Sequence, residues 1–329
     1  MNNDYLRVNS KSDDPEIVDS EFDVEEPKLE PEKKKVTFMT ILFSGKRAVK
    51  GGITVDLPSF KGGFTVFLSV ALMSLVILLV AILSKNTTFL IVDTFLISLL
   101  FPLSGIVMFN DLNVGKNIKI HEIICAIVSG IFAFMVLYPI ENSISSILVD
   151  YKTLAKILNA VMNDLFFFIL CVVYLRLTGK ADIFNEILIC ICIYSGYMMF
   201  FTATGLVDEL FVAVPGNKTV FAIPYEITKV NDLGSYMGVI LQKGVYYPFL
   251  IYCKAIITAG VASLLTLPFR EAKEKNKTFY LFILIEILLH ILSDYNPLTP
   301  SFKVILPIIC VAASFFCALK ILNYALSVK

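Results

Sequence analysis

"KTFYLFILIEILLHILSDY", residues 277–295, is apolar from Phe279 to Leu292 except for Glu286 and His290. A helix needs roughly 20 apolar residues to cross a bilayer core about 30 Å thick, so this stretch reads as a membrane-crossing helix. The four-residue spacing of Glu286, His290 and Asp294 stacks all three on one face of it. An acid, an imidazole and a second acid lined up inside hydrocarbon-like sequence mark a candidate site.

Similar runs recur along the chain, near 64–84, 88–109, 119–140, 154–177, 183–206, 245–268 and 303–327. Composition agrees: 57% of residues are hydrophobic, against roughly 45–50% in soluble domains. The expected fold is all-α, a polytopic transmembrane helix bundle of about eight spans whose first partner is the lipid bilayer. The 28 basic and 28 acidic residues balance overall, but residues 1–35 hold 11 acids and 6 bases. The remainder is therefore mildly positive, which is no nucleic-acid binder's uniform basic charge.

Three regions follow. Residues 1–35, acidic and broken by prolines, bury too little apolar surface to offset ordering and read as a disordered tail. Residues 36–63 carry Lys46, Arg47, Lys50 and Lys61 beside an apolar patch. That pattern suits a juxtamembrane segment on an anionic leaflet, and equally a basic stop that orients the first helix. Residues 64–329 form the transmembrane domain. No basic n-region with an apolar core opens the chain, so the first span is expected to serve as the targeting signal. All seven cysteines sit in apolar runs without zinc-type spacing and read as small buried hydrophobes.

Lysine and arginine concentrate in alternate connections: Lys116 and Lys119, then Arg176 and Lys180, then Arg270, Lys273, Lys275 and Lys277. The positive-inside rule places these loops and both termini in the cytoplasm. The long connection 207–244 then lies outside, and its apolar content suggests a re-entrant or interfacial cap. No inverted repeat of the transporter kind stands out.

An unpaired ionisable residue in a span costs at least about 2.5–3.5 kcal/mol on insertion scales, so such residues are functional candidates. At 1.5 Å per residue, Asp164 of "NAVMNDLFFF", Lys254 of "YCKAII" and Glu286 all reach mid-membrane. His290, Asp294, Asp208 and Glu209 lie nearer the outer surface. Asp164 with Lys254 also fits a structural ion pair. His290, flanked by two acids, has what a ligand or proton-transfer imidazole requires. His121-Glu122 lacks a second histidine at metalloprotease spacing and reads as interfacial. Ser195, Gly196, Thr202, Ala203, Thr204 and Gly205 on the fifth span suit close helix approach.

"LLFPLSGIVMFNDLNVGKN", "ILNAVMNDLFFFILCVVYLRLTGKADIFNEILICICIYSGYMMFF" and "HILSD" together resemble the PrsW-type intramembrane proteases over about residues 95–295. The HxxxD motif, His290 and Asp294, is intact. Where that family has Glu-Glu, this chain has Asn163-Asp164; its following basic residue is replaced by phenylalanine, its second-motif Glu is missing from the span, and Lys254 stands near where the family often has His. The resemblance implies a hydrolase acting on membrane-protein substrates, or a catalytically impaired relative. It also implies His290, Asp294 and Asp164 as acid/base groups or ligands of a divalent metal such as zinc, with Glu286 beside them. Two other expectations stand beside it: an ion-coupled permease using Asp164, Lys254, Glu286 and His290, and a structural scaffold acting through its tail.

Overall fold

In hydrocarbon a backbone has no water to bond, so long runs of Leu, Ile, Val and Phe settle as helices that satisfy their own N–H and C=O groups. The computed structural model describes residues 48–50, 53–55, 61–84, 87–112, 118–179, 183–210, 212–213, 225–226, 233–266, 278–294 and 300–327. The acidic tail, and most of 36–63, lie outside the described residues. The helices are α1 (Lys61–Ser84), α2 (Thr87–Leu112), α3 (Ile120–Ile147), α4 (Lys152–Thr178), α5 (Ile183–Leu210), α6 (Leu233–Val239), α7 (Tyr247–Thr266), α8 (Thr278–Asp294) and α9 (Pro300–Ser327). A π-helical segment, Ile240–Tyr246, joins α6 to α7. Two minimal antiparallel pairs complete the secondary structure among the described residues: β1 (Ala48–Lys50) with β2 (Ile53–Val55), and β3 (Val212–Ala213) with β4 (Tyr225–Glu226).

Among the described residues seven helical stretches are long and apolar enough to cross a bilayer, with Tyr236–Ser263 counted as one across the π segment. The eighth expected span, α8, is shorter at 17 residues, about 25 Å at 1.5 Å per residue. A helix that short crosses a core of about 30 Å with modest local thinning. The sixth span differs from the sequence expectation. It begins at Tyr236, inside the connection expected to form an outer cap, because the π segment carries the helix straight through Lys243.

The helices are layered by polarity. α1 has 11% of its apolar window buried, α5 has 78% and Tyr236–Ser263 has 72%, so α5 and α7 are the interior and α1 lies at the edge. Phe64, Leu68, Leu72 and Leu83 on α1 point outward, as lipid-facing side chains do. α5 packs against α2, α3 and α7, and α7 against α9 and α4.

Two glycines decide the closest approach. A Cβ on Gly130 of α3 would collide with the Ile193 carbonyl of α5, and one on Gly196 of α5 with the Ile127 carbonyl of α3. Ala126 and Ala133, fully buried, flank the contact, giving the backbone-to-backbone packing that small residues allow between membrane helices. At the far end of α4, Gly179 takes the left-handed conformation at φ 61° and its N–H caps Leu175, a conformation that costs glycine least. Glu122 turns back to accept the Lys119 N–H at 2.8 Å, so the His121-Glu122 pair starts α3, as an N-terminal capping acid does. Cys125 is exposed, contrary to the expectation of a buried thiol, while the other six cysteines are buried.

Candidate functional site

Asp164 sits twelve residues into α4, about 18 Å along its axis. Its Oδ1 accepts from Lys254 Nζ of α7 at 2.8 Å, and its Oδ2 lies 3.1 Å from His290 Nδ1 of α8. Three helices thus meet on one carboxylate. The side chains of Asp164 and Lys254 are almost wholly removed from the surface, whereas that of His290 is 20% exposed. Glu286, one turn from His290, is buried, and its Oε2 accepts from Ser314 Oγ of α9 at 2.9 Å. Lys254 and Asp164 both lie within electrostatic range of Glu286. A charge taken out of water must be met by an opposite charge or by hydrogen bonds, and both carboxylates have a donor at bonding distance.

Lys254, His290, Glu286 and Ser314, though not Asp164 itself, line a cavity of about 180 Å³. Lys254, Glu286 and His290 form one wall, and Glu141, Asn159 and Asn163 another. Asn163 donates to Glu141 Oε1 at 2.8 Å and to Tyr197 Oη at 3.0 Å, which ties α3, α4 and α5 together. An aromatic floor completes the cavity. Phe167 stacks on Tyr194 with centroids 4.5 Å apart and meets Tyr197 edge-on at 4.8 Å.

Of the residues singled out in the sequence, Asp164, Lys254, Glu286 and His290 are brought together. Asp294 ends α8, and its side chain lies outside the described residues. Glu209 is directed elsewhere, 3.9 Å from Lys243. Among the described residues no three His, Cys, Asp or Glu side chains are grouped to hold a metal ion. Lys254 Nζ also occupies Asp164 Oδ1, so the described donors do not fit the zinc site that the resemblance implies.

Sequence reasoning missed a further buried carboxylate, away from this site. Asp93 of α2 accepts from Ser74 of α1 at 2.5 Å and from Tyr236 of α6 at 2.7 Å, fully removed from the surface. A lone acid within "TTFLIVDTFLISLL" was the available signal. Glu186, near the start of α5, is likewise fully buried.

Apolar helices of bilayer-spanning length, facing outward with large aliphatic side chains and inward with paired polar groups, define a multi-pass integral membrane protein. No protein-family profile, curated protein or solved structure matches the chain.

Proposed function

We propose that the protein is a permease whose cavity binds a small zwitterionic solute. The observation that carries this reading is that Lys254 and His290, both bonded to Asp164, border a cavity within the membrane-spanning bundle together with Glu286. A solute site within the bundle needs charged groups at its wall, and this cavity has them. The lining offers basic side chains, Lys156, Lys254 and His290, and carboxyl groups, Glu141 and Glu286. It therefore matches a molecule bearing both an ammonium and a carboxylate, with Phe167, Tyr194 and Tyr197 to cover an apolar part. At about 180 Å³ the cavity is smaller than the roughly 300 Å³ at which drug-sized sites begin, which favours a solute of amino-acid size.

Uptake of a mixture of radiolabelled L-amino acids into proteoliposomes tests this. Wild type is expected to accumulate label above protein-free vesicles, and Lys254→Met to lose most of it. Uptake equal to protein-free vesicles at every pH tried would falsify the permease.

The PrsW-like reading keeps one observation in its favour: His290 pairs with Asp164 as a general base pairs with its orienting carboxylate. It expects cleavage of a co-expressed membrane protein that stops in His290→Ala at unchanged protein level. Both oxygens of Asp164 are already engaged, which leaves that carboxylate poorly placed to activate water and makes this the second reading.

A further inference from the structure

Behind the solute cavity lies a second, much smaller one of about 20 Å³, lined by Asp164, Tyr194, Lys254, Thr258, Glu286 and four apolar side chains. Tyr194, Lys254 and Glu286 border both. On α7 the lining moves from Tyr247–Lys254 to Lys254–Thr258, and on the oppositely directed α8 from Glu286–His290 to Ile283–Ile287, while on α4 the two linings overlap, Lys156–Phe167 against Asp164 and Phe168. The small pocket is therefore about one helical turn further from the end where the large one begins, and the charged cluster is the partition.

A cavity needs roughly 10–15 Å³ of this kind of volume and two to four polar partners to hold a water. The small pocket meets both conditions for about one molecule. Phe168, Ile257, Ile283 and Ile287 supply the rest of its wall, so it is too small and too apolar for the solute. Tyr194 Oη and Thr258 Oγ1 lie 3.1 Å apart, and either can donate. A hydroxyl pair that can reverse its direction is what proton relay requires.

Glu286 is the charged group best placed to carry the proton. Lys254 is held by Asp164 Oδ1, and Asp164 Oδ2 by His290. Glu286 is held by a neutral hydroxyl, Ser314, which can bond to a carboxylic acid as well as to a carboxylate. Facing it are Lys254 and Cys253 from α7, Asp164 from α4, Cys310 and Cys317 from α9, and His290 one turn along its own helix.

We infer that Glu286 relays protons between the solute cavity and the water-sized pocket, with the Tyr194–Thr258 hydroxyl pair as the next station, which makes the proton the coupling ion of the permease. A hydronium on the cavity side gives its proton to the Glu286 carboxylate and becomes water. The resulting acid passes the proton to a water in the small pocket and returns to the carboxylate. The inference rests on the permease reading.

The test uses full-length protein in phosphatidylcholine–phosphatidylglycerol vesicles loaded with the pH dye pyranine, with an inside-negative potential and the labelled amino-acid mixture outside. Wild type is expected to acidify the lumen while it takes up label. Glu286→Gln should fall to the acidification rate of protein-free vesicles, and Thr258→Val, a milder change of shape, should slow acidification about tenfold; both variants are first checked for the wild-type gel-filtration profile. Label uptake without acidification in wild type, or undiminished acidification in Glu286→Gln, overturns the relay and leaves the permease standing. Neither uptake nor acidification in wild type overturns both.

Discussion

Asp164 spends both oxygens on basic side chains from two other helices, and this sharing sets what a substitution there costs. Removing one partner of a buried ion pair leaves an uncompensated charge, at about 3–5 kcal/mol, whereas replacing both with apolar groups is often neutral. Asp164→Leu and Lys254→Leu are each expected to lower the unfolding midpoint in detergent strongly. The double variant should recover most of the loss, and two additive losses would show that the pair is not coupled. The four members of this cluster were legible because an ionisable residue inside an apolar span is rare and helix rise converts its position into depth. Asp93 carried the same signal. Its partners Ser74 and Tyr236, and the Ser314 that holds Glu286, could not be found that way. Uncharged polar residues are common in spans, and which of them meet depends on how each helix is rotated.

At the scale of elements the decisive contact is between α3 and α5, where Gly130 and Gly196 each face a carbonyl of the opposite helix. A methyl group there must push backbone rather than a flexible side chain, and overpacking typically costs about 1–3 kcal/mol. Gly238 of α6 has nothing within 4 Å of where its Cβ would stand, and alanine is favoured over glycine in a helix by roughly 0.5–1 kcal/mol. Thermal unfolding should therefore show Gly196→Ala less stable than wild type and Gly238→Ala equal or more stable. The small residues of the fifth span announced close packing, and Gly196 fulfils it. The sequence did not say that the partner is α3 rather than α4, because loop-connected neighbours and contacting helices are different things in a bundle. The length of the sixth span was also misread at its start, since Lys243 and Gln242 look like a loop until the π segment joins them to α7.

For the whole molecule, counting α8 as a crossing gives an even number of spans among the described residues, so α1 and α9 begin and end the domain on the same side. The basic loops favour that side as the cytoplasm. Fusions to the C-terminus test it: a fluorescent protein, which folds in the bacterial cytoplasm, should light up, and an alkaline phosphatase, which needs the periplasm, should stay inactive. The reverse pattern would overturn the expected orientation. The sequence by itself determined the class of fold, because that follows from the number and length of the apolar runs. Only the tertiary structure decided that α5 and α7 are interior, that Asp164 is shared by Lys254 and His290, and that a second pocket lies behind Glu286. Those facts depend on helix rotation and neighbour choice, which arise from packing between segments far apart in the chain.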